Sequence, residues 1–219
     1  MRDKEVSEMN GALRIIEQNK IIAIIRSVPF PVLEKTVQAL HAGGIRVIEV
    51  TMNSEDALSS ISFIKAHFPD MVIGAGTVLD QESASLAIRA GASFLLAPNL
   101  SESVIQTANR YQIPVIPGVF TPTEIIKASE LGAQVVKVFP VSGVGPAYIK
   151  DLQGPIGYIK MIPVGGVTLE NAAQFMEAGA FALGIGSALT DQQLLATNRF
   201  SELKDRAAEF VRIAESFNK

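Results

Sequence analysis

The sequence predicts an α/β chain closed into a (β/α)8 barrel, the TIM barrel, with one extra helix at its N-terminal end. Three observations carry this expectation. Eight short apolar runs rich in β-branched residues recur with starts roughly 20 to 26 residues apart, the length of one strand–helix unit. The segments between them have the apolar spacing of amphipathic helices. Glycines (Gly43, Gly91, Gly132 and Gly179) follow several of those segments, where a left-handed residue ends a helix. An open doubly wound sheet is the alternative, but eight evenly spaced units favour closure. At 219 residues the chain fits one barrel domain, residues 1–219, and no linker, charge run or low-complexity tract divides it.

A helix at about 11–18 precedes the first strand and is expected to cover the bottom of the barrel. Strands are expected at 21–26, 47–52, 72–78, 94–99, 114–119, 135–140, 161–167 and 182–187. Helices are expected at 32–42, 55–68, 82–90, 102–111, 123–131 and 169–178, with Ser54, Asp80, Ser101 and Thr168 as N-caps. The tail 198–219 reads as a final helix with no evident chemistry.

Composition narrows the function classes. Hydrophobic residues make up 48% and charged residues 19%, too apolar for a disordered chain. Net charge is −3 and no Lys/Arg cluster forms a basic patch, which disfavours nucleic acid and anionic membranes as partners. There is no cysteine, so disulfides, thiol nucleophiles and thiolate metal sites are excluded. Residues 1–10 carry charges of both signs and no apolar core, so they are not expected to be a signal peptide. No apolar run is long enough to span a bilayer, and the expected location is the cytoplasm.

In such barrels chemistry gathers at the C-terminal ends of the strands. Here those ends carry Arg26-Ser27, Glu49-Val50-Thr51, Gly76-Thr77, Pro98-Asn99, Lys137, Phe139-Pro140, Val164-Gly165-Gly166 and Gly186-Ser187. The opposite ends carry few such groups. Lys137 is the most telling, because it interrupts Val135-Val136-Lys137-Val138, a run otherwise apolar on both faces. Burying an ammonium is costly unless it is paired or deprotonated, and a deprotonated lysine is a nucleophile. Strand alternation puts Glu49 on one face with Val47 and Thr51, and Lys137 on one face with Val135 and Phe139. If Ile48 and Val50 meet the helices, Glu49 points inward and the two charges converge. A structural ion pair and an amine beside a proton-transfer carboxylate both satisfy that pattern.

Arg26, at the end of the first strand, has the geometry to clamp a carboxylate or phosphate, or to bond loop carbonyls at the rim. Gly165-Gly166 and Gly186-Ser187 end the seventh and eighth strands, where barrels build anion sites from backbone N–H groups. Gly74-Ala75-Gly76-Thr77 is not a dinucleotide fingerprint; Thr77 is placed to line the pocket. His41 and His67 fall late in helices, and two isolated histidines without cysteine disfavour a metal site.

At these residues the chain resembles the class I 2-keto-3-deoxy-6-phosphogluconate (KDPG) / 4-hydroxy-2-oxoglutarate (KHG) aldolases, from Lys20 to Ala188. The segments that carry the resemblance are 21–26, 43–51, 74–78, 117–124, 136–140 and 165–167. It implies a cofactor-free and metal-free lyase, usually a homotrimer, that cleaves a phosphorylated 2-keto-3-deoxy sugar acid to pyruvate and glyceraldehyde 3-phosphate. Lys137 would form the Schiff base and Glu49 would be the acid/base. Arg26, Thr77 and Pro98 would line the pyruvyl end, beside Thr51 and Phe139, and Gly165, Gly166, Gly186 and Ser187 would hold the phosphate. Two positions depart from many members: Val164 stands where threonine is common and Asn53 where arginine is. Asn53-Ser54, Pro98-Asn99 and Val164-Gly165-Gly166 look closer to the 2-keto-3-deoxy-6-phosphogalactonate aldolases of that family. Val164 removes a hydroxyl from the substrate channel. The contrasting class is a phosphate-binding barrel or isomerase in which Lys137 and Glu49 form only an ion pair.

Overall fold

The computed structural model describes residues 11–218; the signal-peptide reading of 1–10 lies outside them. Helix α1 (Gly11–Asn19) leads into β1 (Ile21–Ile25), α2 (Phe30–Ala42), β2 (Val47–Thr51), α3 (Ala57–His67), β3 (Val72–Gly76), α4 (Gln81–Ala90), β4 (Leu95–Leu96) and α5 (Glu102–Arg110). Then follow β5 (Val115–Ile116), β6 (Gly118–Val119), α6 (Pro122–Glu130), β7 (Val135–Val138), α7 (Gly145–Ile156), β8 (Lys160–Pro163), α8 (Ala172–Glu177), β9 (Leu183–Ile185), α9 (Gln192–Ala196) and α10 (Phe200–Glu215). The architecture is the expected (β/α)8 barrel with its N-terminal helix.

The strands run parallel in two hydrogen-bonded sheets, ordered β5-β4-β3-β2-β1-β9 and β6-β7-β8. The fifth expected strand is split because Pro117 has no N–H to give to a ladder. Residues before it pair with β4; Pro117 O then accepts from Lys137 N at 2.8 Å and Gly118 opens the pairing with β7. The other join is a parallel bridge between Val164 and Gly184, supported by Phe181 N donating to Met161 O at 2.8 Å.

Strand alternation divides the apolar residues into two cores. Ile22, Ile24, Val47, Phe94, Leu96, Ile116, Val135 and Ile162 fill the lumen, and Leu13 and Ile16 of α1 plug it from below. Their outward neighbours, among them Ile48, Val50, Val136 and Val138, meet the surrounding helices. Helix α10 packs against α2 and α8 and completes the outer ring.

Helix starts follow local chemistry, with three departures from expectation. Asp80 caps α4 as its spacing suggests, accepting from Ser83 N at 2.7 Å. Ser101 is the N-cap residue of α5, but its hydroxyl pairs with Ser103. Helices α3 and α8 begin later than the pattern implied, so Ser54 and Thr168 lie in the preceding loops. A capping box at α6 was legible in Thr121-Pro122-Thr123-Glu124 and was not singled out. Helix α7 did not stand out either; it carries Gly154 and Pro155 near its end, and α9 spans only five residues.

Candidate active site

Glu49 and Lys137 point into the upper lumen, 1% and 3% exposed. The room for Glu49 comes from Gly76 on the neighbouring strand, where any Cβ would fall 1.5 Å from Glu49 Oε1. Burial pushes the Glu49 pKa up, against the pull of Lys137 and then of Arg26. Burial likewise pushes the Lys137 pKa down; Glu49 opposes that and Arg26 adds to it. Both shifts favour the neutral forms, as expected of charges held from water.

The ion pairs among the described residues all involve side chains at least 30% exposed, and none joins Lys137 to Glu49. Glu49 Oε2 is buried with no hydrogen-bond partner. Lys137 Nζ instead lies 4.8 Å from the centroid of the Phe139 ring. An amine whose neutral form is favoured by burial and a carboxylate oxygen without a partner therefore share one buried compartment. That pairing suits covalent attack on a carbonyl followed by proton transfer.

Above it opens a cavity of about 760 Å³. Arg26, Phe139, Val164, Gly165, Gly166, Gly186 and Ser187 line it, seven of the positions singled out from sequence. Phe139 connects the two spaces, since its ring faces both Lys137 and the cavity. Thr51 ends β2, Thr77 and Pro98 lie in the loops that follow β3 and β4, and none of the three is on the cavity wall. Thr51 is fully buried and its hydroxyl pairs with Ser54 Oγ at 3.0 Å. Thr77 has φ of 56°, a left-handed backbone that threonine adopts at a cost. Pro98 presses its backbone on Gly118, where a Cβ would come within 2.2 Å of the Pro98 carbonyl carbon.

Arg26 is held through its peptide groups. Gln192 Nε2 donates to Arg26 O at 2.9 Å, and Ser27 N donates to Ser54 Oγ at 2.9 Å. Ser54, expected as a cap, thus ties the β1 and β2 loops together. Gly165 and Gly166 take φ of 80° and 107°, and Asn171 braces their loop by donating to Gly166 O and accepting from Thr168 N, each at 2.8 Å.

The histidines stand apart: His41 pairs with Asp70 at 2.6 Å and His67 stacks on Phe63. Among the described residues no group of three His, Cys, Asp or Glu side chains is placed to hold a metal ion. Residues that sequence reading missed are Gly76, Ser54, Gln192, Asp191 and Arg206. Arg206 corrects the view of the tail, because α10 delivers it to the cavity wall.

The family described as KDPG and KHG aldolase matches residues 13–205. A 2-dehydro-3-deoxy-6-phosphogalactonate aldolase of Escherichia coli K12 is 39% identical over 171 residues, 77% of this chain and 83% of that one. A 2-dehydro-3-deoxy-phosphogluconate aldolase of Dickeya dadantii is 33% identical over 177 residues, 80% of this chain and 82% of that one. The solved KDPG aldolase of Legionella pneumophila, with pyruvate captured as a covalent carbinolamine, superposes with a TM-score of 0.83 at 25% identity, covering 90% of this chain and 96% of that one.

Proposed function

This chain belongs to the KDPG and KHG aldolase family, a family of lyases, and we propose that it is a class I, Schiff-base aldolase cleaving KDPG to pyruvate and glyceraldehyde 3-phosphate. The observation that carries the chemistry is Lys137: buried, without a carboxylate in ion-pair range among the described residues, and within the electrostatic reach of Glu49, whose Oε2 lacks a partner. An ion-pair barrel would hold the two in contact. The carbinolamine of the Legionella relative supports a covalent route.

The neutral Lys137 amine attacks the C2 ketone to give a carbinolamine. Glu49, whose protonated form is favoured by burial, gives a proton to the departing hydroxyl, which leaves as water and yields an iminium. The Glu49 carboxylate then takes the C4 hydroxyl proton. The C3–C4 electron pair moves into the iminium, which leaves an enamine and releases the aldehyde. Glu49 returns the proton to C3, and hydrolysis frees pyruvate and the amine. Arg26 and Thr77 hold the carboxylate end with Thr51, Pro98 and Phe139 around it, and Gly165, Gly166, Gly186 and Ser187 supply backbone donors for the phosphate. No cofactor or metal takes part. A homotrimer in the cytoplasm completes the reading. Among the described residues no helix is long and apolar enough to cross a membrane.

The galactonate-configured isomer is the second substrate reading, favoured by Val164 on the cavity wall and by the 39% identity to the Escherichia coli relative. 4-Hydroxy-2-oxoglutarate is a third and lacks a phosphate for the glycine turns. Incubation with pyruvate and borohydride, then intact mass and peptide mapping, tests the chemistry. A pyruvyl adduct on Lys137 is expected; folded protein without one would sink the Schiff-base assignment. Comparing kcat/KM for the three compounds then ranks the substrates.

A further inference from the structure

Three charged side chains line the cavity: Arg26, Arg206 and Asp191. Arg26 stands at the inner end, close enough to act electrostatically on both Glu49 and Lys137. Arg206 lines the cavity beside the turn that carries Ser187. It comes from α10, the last helix, and its Nη1 donates to Ala188 O at 3.2 Å. That bond fixes the guanidinium against the turn carrying Ser187. The turn is itself closed by Leu189 N and Thr190 N, which donate to Gly186 O at 2.8 and 2.9 Å, and by Thr190 Oγ1, which donates to Ile24 O at 2.8 Å.

Asp191 holds the same Nη1 at 3.6 Å, while its Oδ1 accepts from Gln193 N and Leu194 N at the start of α9. Both of these contacts of Arg206 go through Nη1, and among the described residues its Nε and Nη2 have no hydrogen-bond acceptor. The side chain is 30% exposed, reachable from the cavity yet fixed in direction. A guanidinium fixed in this way is suited to a phosphoryl group, whose oxygens accept parallel N–H bonds.

We propose that Arg206 is the residue that selects a phosphorylated substrate: it supplies the cationic contact on the Ser187 side of the cavity, and Asp191 acts through it as a positioning residue. This deepens the aldolase reading and rests on it for the identity of the substrate, but not for the binding of phosphate. Backbone N–H groups such as those of Gly166 and Ser187 on the cavity wall can donate to an anion but carry no net charge. With them alone, a phosphate and an uncharged hydroxymethyl group would be poorly separated.

The test pairs two variants, Arg206→Met and Arg206→Lys, with two readouts. Calorimetric titration with inorganic phosphate needs no imine; Arg206→Met should weaken binding by about 10- to 100-fold, the effect of losing charged hydrogen bonds, and Arg206→Lys should restore part of it. Steady-state kinetics should show the loss in KM for the phosphorylated substrate, with kcat/KM for its unphosphorylated counterpart within about twofold of wild type. Pyruvate trapping on Lys137 should be equal in all three proteins. Unchanged phosphate affinity in Arg206→Met would overturn the proposal, as would equal losses on both substrates. Failure to trap pyruvate in the wild type would fell the aldolase reading alone, since the phosphate titration stands without it.

Discussion

Gly74 and Gly76 occupy two successive inward positions of β3, and each is bare because a large side chain from a neighbouring strand lies over it. Over Gly74 it is the Phe94 ring, where a Cβ would meet ring carbons at 2.4 Å. Over Gly76 it is Glu49. One steric device thus serves opposite ends. The lower position seats an aromatic ring in the apolar plug beneath the site. The upper one seats a carboxylate with an unpartnered oxygen, which costs stability and, on the proposed chemistry, carries the proton. Stability and activity part within one residue pair of a single strand.

The sharpest break in that comparison comes at the upper level. Lys137→Met should lower turnover by at least about 10³-fold, because among the described residues no other lysine is buried, and Glu49→Gln by about 10²- to 10⁴-fold. Both proteins should stay folded by circular dichroism; loss of fold in either would mean the upper level is structural too. Next, Gly76→Ala must displace Glu49 and should cost about 10²-fold in kcat at little cost in thermal midpoint. Gly74→Ala should do the reverse, losing about 1–3 kcal/mol of stability by urea unfolding while activity per folded molecule persists. Matching profiles for the two glycine variants would erase the distinction.

A subtler effect is expected in the pH dependence of stability. Lys137 is held below its ordinary 10.5, so from its lowered pKa up to 10.5 the unfolded chain binds the extra proton and stability rises with pH. Glu49 is held above its ordinary 4.5, so from 4.5 up to its raised pKa the folded chain binds the extra proton and stability falls as pH rises. Urea midpoints measured against pH should lose the alkaline rise in Lys137→Met and the acidic-side fall in Glu49→Gln. The smallest effect is expected from Val164→Thr, which should shift the preference between gluconate- and galactonate-configured substrates by about tenfold, read as a ratio of kcat/KM.

Much of this was legible in the chain. The eight-fold repeat gave the barrel, and alternation along Val47-Ile48-Glu49-Val50-Thr51 gave the direction of Glu49, since the period of a strand is strictly two. Lys137 was legible because charge is rare in such a run. The split of the fifth strand followed from Pro117, yet its proline was read only as part of a strand. Gly76 was visible as a glycine but not as a seat, because the partner that excludes a Cβ lies on another strand. Arg206 was the hardest: on an exposed helix it looks like any solvated charge, and only packing of α10 against α2 and α8 brings it round to the cavity. Ser54 carried a cap signature in sequence and met a loop amide instead, because α3 begins three residues later.

The two sheets are joined at Pro117 and around the Val164–Gly184 bridge, and the groups of the site are divided between them. Lys137 and the Gly165-Gly166 loop belong to the smaller sheet, while Glu49, Arg26 and Gly186 belong to the larger. On the proposed chemistry, a bound substrate is covalently attached to one sheet and salt-bridged to the other. It becomes a temporary cross-link over both joints, formed and cut once in every catalytic cycle. The occupied enzyme then carries a fastening across the joints in addition to their backbone hydrogen bonds and the shared core, and substrate binding should stabilise the folded barrel.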